Sequence, residues 1–127
     1  MIQGVTQIVV AVKDLEEAVK AYEALGFQIT RRSKNDNLGI NQAFVHMGDG
    51  TEIELAQPFD PNSAVGRGLE RKGEGVYMLS VAVEDVQTAA KQMKENGVQL
   101  IENGDTVFVH PRSTKGVLLR LSPKPSA

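Results

Sequence analysis

Four side chains of this 127-residue sequence could do chemistry, and they form two pairs. The histidines His46 and His110 could transfer a proton near neutral pH. The carboxylate of Glu54 and the guanidinium of Arg120 could bind or stabilise an opposite charge. The sequence has 0 Cys and only 2 His, which excludes thiolate catalysis, disulfide bonds and a histidine-rich metal site. A functional site in this chain must therefore use carboxylates, guanidinium groups, amides, hydroxyls and these two imidazoles.

Composition excludes several classes of partner. The formal net charge is -2, so the chain has no basic excess with which to neutralise nucleic-acid phosphates. Its apolar runs are too short to span a bilayer, and its N-terminus has no signal-peptide core. The length fits a single domain. We therefore expect a cytoplasmic protein with no nucleic-acid partner and no membrane partner.

An internal repeat positions these side chains. Residues 7–29 and 78–100 are similar at a constant offset of 71 (78 − 7 = 71), without a gap. A fixed offset over so long a stretch indicates a duplicated structural unit. The matched positions include Gln7 and Met78, Asp14 and Asp85, and Gly26 and Gly97.

Each copy of the repeat predicts a strand followed by a helix. Runs of β-branched and other apolar residues predict strands over Ile8–Val12 and Leu79–Val83. An aspartate then stands at a helix N-cap position, where its carboxylate can accept the free amide protons of the first turn. A glycine ends each helix, because the residue after a helix commonly needs a left-handed conformation. The predicted helices are 15–25 and 86–96.

Three further strands after each helix make each copy a βαβββ module. They are predicted near 27–33, 41–47 and 51–57 in module 1 and near 98–102, 105–110 and 117–122 in module 2, with a hairpin turn at 48–50. Module 1 spans about 1–58, a linker with a short helix near 64–71 spans about 59–75, module 2 spans about 76–122, and a tail occupies 123–127. The predicted fold is a single α+β domain whose two modules form an eight-stranded mixed sheet that encloses a cleft.

Strand alternation places the candidate side chains on the cleft face of the predicted sheet. On the last strand of each module, apolar neighbours on both sides point to one face, which leaves Glu54 and Arg120 pointing to the other. On the first strands, the cleft positions include Gln7, Met78 and Ser80. Glu54 and Arg120 therefore occupy matching places on matching strands.

Five stretches of the sequence are similar to a known family. They are Val-Ala-Val-Lys-Asp-Leu-Glu-Glu-Ala at 10–18, Glu-Leu-Ala-Gln-Pro at 54–58, Asp-Pro-Asn-Ser-Ala at 60–64, Gly-Glu-Gly-Val at 73–76, and His-Pro-Arg-Ser-Thr-Lys-Gly-Val at 110–117. With them the chain resembles the vicinal oxygen chelate superfamily (glyoxalase/bleomycin resistance/dioxygenase) over nearly its full length, and most of all the methylmalonyl-CoA epimerases. The resemblance implies a paired βαβββ fold, a cleft that holds one divalent metal, and a homodimer.

The resemblance also implies where the metal ligands of the family lie. The family has His, a carboxylate or amide, His and Glu where this chain has Gln7, Glu54, Met78 and Arg120. A thioether suits soft ions, and a permanently charged guanidinium repels a cation. The family's second acid/base carboxylate lies on the strand after the first helix, where this chain has Thr-Arg-Arg-Ser at 30–33. We therefore expect no divalent metal and no other cofactor, with Arg120 as the cation that takes the metal's place.

Three functions are consistent with these residues. The first is a metal-free superfamily member that binds a small polar or acyl-type ligand, such as an acyl-CoA or a carboxylate, with or without metal-independent isomerase or lyase activity. The second is a genuine methylmalonyl-CoA epimerase-like isomerase. The third is a non-catalytic protein that sequesters a drug or metabolite. Only 5% of residues are aromatic, which speaks against this function because such clefts usually stack flat ligands on aromatic side chains. The candidate catalytic residues are Glu54 and Arg120, and the candidate ligand contacts are Gln7, Met78, Ser80 and His46.

Structural roles compete with these assignments. Glu54 and Arg120 could equally form an internal salt bridge, because buried ion pairs are found at structural and functional positions alike. Met78 could simply form an apolar wall, since methionine often fills irregular gaps. His110 belongs to a turn that the family keeps, which favours a structural role for its imidazole.

Overall fold

A computed structural model describes residues 2–123, which form eight strands and four helices. They fold as two compact units. The central unit comprises residues 8–77, and the split unit comprises residues 2–7 together with 78–123. Strands β1 (Ile2–Ala11) and β5 (Gly75–Val83) contribute residues to both units. Of the predicted tail, Pro123 is the last residue of the final strand, and 124–127 lie outside the described residues.

The central unit is a sheet with a helix packed on one face. Its strands are ordered β2 (Ile29–Asn35), β3 (Ile40–His46), β4 (Glu52–Pro58) and β1, and β2, β3 and β4 pair antiparallel. The first helix packs Leu15 and Val19 onto the apolar side chains of the third and fourth strands, among which Leu55 is 0% exposed. Its elements are α1 (Leu15–Ala24), β2 (Ile29–Asn35), β3 (Ile40–His46), β4 (Glu52–Pro58) and α2 (Ala64–Lys72).

The split unit is likewise a sheet with a helix packed on one face. Its strands are ordered β1, β5, β8 (Leu119–Pro123), β7 (Thr106–Val109) and β6 (Leu100–Asn103), and β5 pairs with β8 in parallel. A second core of buried residues, which includes Val83, Val107 and Leu121, packs with Ala90 of the third helix. Its elements after β5 are α3 (Val86–Glu95), β6 (Leu100–Asn103), β7 (Thr106–Val109), α4 (Pro111–Thr114) and β8 (Leu119–Pro123).

The duplicated signals at the ends of α1 and α3 are confirmed. Asp14 and Asp85 each accept a hydrogen bond from the backbone amide three residues on, at 3.1 and 2.9 Å. Gly26 and Gly97 follow the helices with φ of +101° and +81°, the left-handed region that favours glycine. The predicted class, α+β with an eight-stranded mixed sheet, is confirmed as well.

Several predicted boundaries were wrong, and three of them are informative. Strand β1 begins at residue 2 and not 8, and β5 begins at residue 75 and not 79. These added segments lack a β-branched run, so local pattern alone does not reveal them. The last strand begins at 119 and not 117, because left-handed Lys115 (φ +62°) and Gly116 (φ +109°) still form the turn before it. The single-turn helix α4 was not predicted.

Candidate functional site

Arg120 and Ser80 are neighbours in the split unit. They are register partners on the parallel strands β8 and β5, and paired positions point their side chains to the same face of the sheet. Leu121 and Val81 belong to the core with α3, so alternation turns Arg120 and Ser80 to the opposite face, as predicted. Ser80 is 2% exposed, whereas Arg120 is half-buried. The structure therefore brings a guanidinium beside a deeply buried hydroxyl.

Met78 and Gln7 lie near this pair in the same unit. Met78 is two residues before Ser80 on β5, which puts it on the same face, and it is buried. Gln7 is half-buried on β1. The residue before it, Thr6, donates a hydrogen bond from Oγ1 to the carbonyl oxygen of Ser80 at 3.3 Å. Three of the predicted site residues, Met78, Ser80 and Arg120, thus lie on one face of the paired strands β5 and β8.

Glu54 lies in the central unit and is 7% exposed. Its neighbours Ile53 and Leu55 face the core with α1, so the carboxylate points to the opposite face of β4, as predicted. Gln42 of β3, itself 7% exposed, donates a hydrogen bond from Nε2 to Glu54 Oε2 at 3.1 Å. Sequence reasoning missed Gln42, although its parity with Phe44 on β3 places it on this face.

His46 belongs to a second polar group on the same face, which we call the Glu52 cluster: Arg31, Phe44, His46 and Glu52. His46 Nε2 lies 2.9 Å from Glu52 Oε2, and Arg31 Nη2 lies 3.3 Å from the same oxygen. The Arg31 guanidinium also stacks 3.7 Å from the centre of the Phe44 ring. An imidazole held by a carboxylate is able to exchange a proton with a ligand. Arg31 and Glu52 were not predicted as site residues.

His110 has a structural role. It is the N-cap of α4, and its Nδ1 accepts a hydrogen bond from the backbone amide of Arg112 at 2.9 Å. A ring nitrogen that accepts this bond is unprotonated, so the neutral tautomer carries its proton on the other nitrogen. Both histidines follow a Phe-Val pair, at 44–46 and 108–110, but only His46 lies on a strand face beside a carboxylate.

The four positions that the family resemblance assigns to metal ligands offer a donor set that fits a divalent metal poorly. Gln7, Met78 and Arg120 lie in the split unit and Glu54 lies in the central unit. An amide, a thioether and a guanidinium leave Glu54 as the one anionic donor, and a guanidinium has no lone pair to give. Within residues 2–123, no group of three His, Cys, Asp or Glu side chains could hold a metal ion.

The central unit also has a groove of about 470 Å³ beside helix α2. None of the predicted site residues lines it. Its charged side chains are Lys13 and Glu70, which give it no excess of either sign. The lining residues are Lys13, Pro58, Pro61, Gly66, Leu69, Glu70 and Gly73.

No helix within residues 2–123 is long and apolar enough to cross a membrane.

Comparison with known proteins identifies the relatives of this chain. A family model described as the glyoxalase/bleomycin resistance protein/dioxygenase superfamily matches residues 6–112. The ethylmalonyl-CoA/methylmalonyl-CoA epimerase of Cereibacter sphaeroides is 27% identical over 95% of this chain and 98% of its own length.

Two solved structures share the fold. Methylmalonyl-CoA epimerase from Mycobacterium tuberculosis superposes with a TM-score of 0.84 at 27% identity, over 98% of this chain and 90% of that chain. A Streptomyces coelicolor methylmalonyl-CoA epimerase variant in complex with 2-nitronate-propionyl-CoA gives a TM-score of 0.84 at 28% identity. This match covers 99% of this chain and 100% of that chain. These findings confirm the resemblance on which the sequence analysis relied.

Proposed function

Because the chain belongs to the glyoxalase/bleomycin resistance protein/dioxygenase superfamily, we propose that it binds a small polar or acyl-type ligand without a divalent metal. The position of Arg120 supports this proposal most strongly. It is half-buried on β8, where the family has an acidic metal ligand, and the described residues of the split unit offer it no hydrogen bond or ion pair. A guanidinium in such a place is suited to an anionic group of a ligand.

Arg120 and Glu54 have complementary roles in this proposal. The Arg120 fork donates hydrogen bonds to a ligand carboxylate or to the oxygen of an enolate, which supplies the positive charge that a metal supplies in the family. Within the central unit, Glu54, buried and held by Gln42, is a carboxylate able to act as a general base. An isomerisation would need one group to remove the proton from the carbon next to the carbonyl and a second group to supply a proton on the opposite face.

An acyl-CoA is the first ligand class to test. The relatives are described as epimerases of ethylmalonyl-CoA and methylmalonyl-CoA, and one is in complex with an acyl-CoA analogue. The second candidate function is therefore an epimerase-like isomerase that acts on an acyl-CoA. A homodimer and a cytoplasmic location remain predictions within either candidate.

The test is titration of the protein with methylmalonyl-CoA in D₂O with excess EDTA, followed by proton NMR. We expect saturable binding by the wild type, weakened about tenfold or more in Arg120→Gln, since a charge-assisted hydrogen bond is lost. Arg112→Gln, at an exposed site on α4, is the matched control and should bind like the wild type. Binding that appears only after a divalent metal is added would contradict the proposal. Loss of the α-proton signal would favour the isomerase, whereas binding without exchange would favour sequestration.

A further inference from the structure

The hydroxyl of Ser80 is a buried polar group without a hydrogen bond. Its Oγ is inaccessible to solvent and has no partner among residues 2–123. The neighbouring Ser122 is also buried, but its hydroxyl donates to the carbonyl oxygen of Val81 at 3.1 Å and lies 3.1 Å from Thr6 Oγ1. Buried hydroxyls are nearly always paired, because an unpaired one loses its hydration without compensation. The unpaired Ser80 hydroxyl is therefore an exception to this rule, and it does not stabilise the fold through a hydrogen bond.

Ser80 lies beside a second group that also lacks a partner. Arg120 is its register partner on β8, and the described residues of the split unit leave the guanidinium without a hydrogen bond or ion pair. The residue on the other side of Arg120 is Phe108, its register partner on β7. Together, Ser80 and Arg120 provide one hydroxyl and one guanidinium as donors, with apolar Met78 and Phe108 nearby on neighbouring strand positions.

We propose that Ser80 and Arg120 form a carboxylate subsite on this face of the split unit, in which the Ser80 side chain turns from its covered position so that its hydroxyl, together with the Arg120 guanidinium, donates to the oxygens of a small organic carboxylate. This subsite rests on the proposed function in one respect, because both require that Arg120 contacts the ligand. A planar carboxylate matches the guanidinium fork and leaves one oxygen lone pair for a hydroxyl. The apolar neighbours suit a short aliphatic tail, so the probe is propionate.

The experiment compares thermal unfolding with propionate and with its neutral isostere propionamide, at constant ionic strength. The wild type should show a saturable rise in the melting temperature with propionate and none with propionamide. Ser80→Ala should weaken propionate binding about tenfold, the loss of one hydrogen bond to a charged group, and Arg120→Gln should abolish it.

Ser122→Ala is the matched control, because it removes a buried serine hydroxyl that is already paired. Without ligand, Ser122→Ala should lower the melting temperature, whereas Ser80→Ala should leave it unchanged or raise it. Ser122→Ala should bind propionate like the wild type. A Ser80→Ala protein that is destabilised but binds propionate normally would overturn the subsite, and so would a wild type that responds equally to propionamide.

The outcomes separate this inference from the proposed function. If Arg120→Gln weakens methylmalonyl-CoA binding but Ser80→Ala binds propionate like the wild type, the proposed function stands and the subsite fails. If the wild type takes up a divalent metal but Ser80→Ala still loses propionate, the subsite stands and the proposed function fails.

Discussion

The hydrogen bond between Gln42 and Glu54 should account for a measurable part of the stability of the central unit. Both side chains are 7% exposed, so solvent screening reduces the interaction little. Gln42→Met keeps the length of the side chain but removes the donor at 3.1 Å from the carboxylate. A hydrogen bond to a charged group contributes about 1.5–3 kcal/mol, and we expect the free energy of unfolding to fall by that amount.

The assay is urea denaturation at neutral pH, with the exposed Gln92→Met on α3 as the control, which should change stability by less than about 0.5 kcal/mol. In a Glu54→Met background, Gln42 itself lacks its partner, so Gln42→Met should become neutral or stabilising. An equal cost of Gln42→Met in both backgrounds would refute the reasoning, because the loss would then come from packing and not from the hydrogen bond.

Three further predictions follow from the two units. Leu55→Ala should reduce the free energy of unfolding by about 2–5 kcal/mol in urea denaturation, since the side chain is 0% exposed in the core with α1. The amide of Thr88 holds the pKa of the Asp85 carboxyl below its ordinary value. The ionised Asp85 carboxylate therefore contributes fully to the free energy of unfolding above the unfolded-state pKa of about 3.9, and this contribution is lost as pH falls through the lower folded-state pKa. Asp85→Ala lacks this contribution at every pH, so on acidification its free energy of unfolding should fall less than that of the wild type. Gly97→Ala should cost about 1–2 kcal/mol because φ is +81°, whereas Gly48→Ala, in open space without a positive φ, should be nearly neutral by the same denaturation assay.

Much of the fold was predictable because its signals are local and repeated. The offset between the two copies, the aspartate N-caps and the glycines after the helices each follow from neighbouring residues. Strand parity also identified the face of Glu54 and of Arg120 correctly, since their apolar neighbours belong to the two cores. A period of two residues is sufficient for that assignment.

The contacts within the site were less predictable because they depend on strand register. The Glu52 cluster depends on which residues of β2, β3 and β4 face each other, and the pairing of β2 with β3 shifts between Ile29 and Arg31. Such an irregularity leaves no mark in the hydrophobic pattern. The hydrogen bond from Gln42 to Glu54 depends on register in the same way. Helix α4, with four residues, is too short to show a helical period.

The most direct test of the central claim is the metal content of the purified protein after equilibration with cobalt, zinc or manganese and gel filtration. We predict less than stoichiometric metal in the wild type, because the family resemblance places Gln7, Met78 and Arg120 where relatives have two imidazoles and a carboxylate. The variant that combines Gln7→His, Met78→His and Arg120→Glu should restore the family's donor set, keep Glu54 and take up about one metal ion per chain. One tightly bound ion per wild-type chain, lost on Glu54→Ala, would contradict the account.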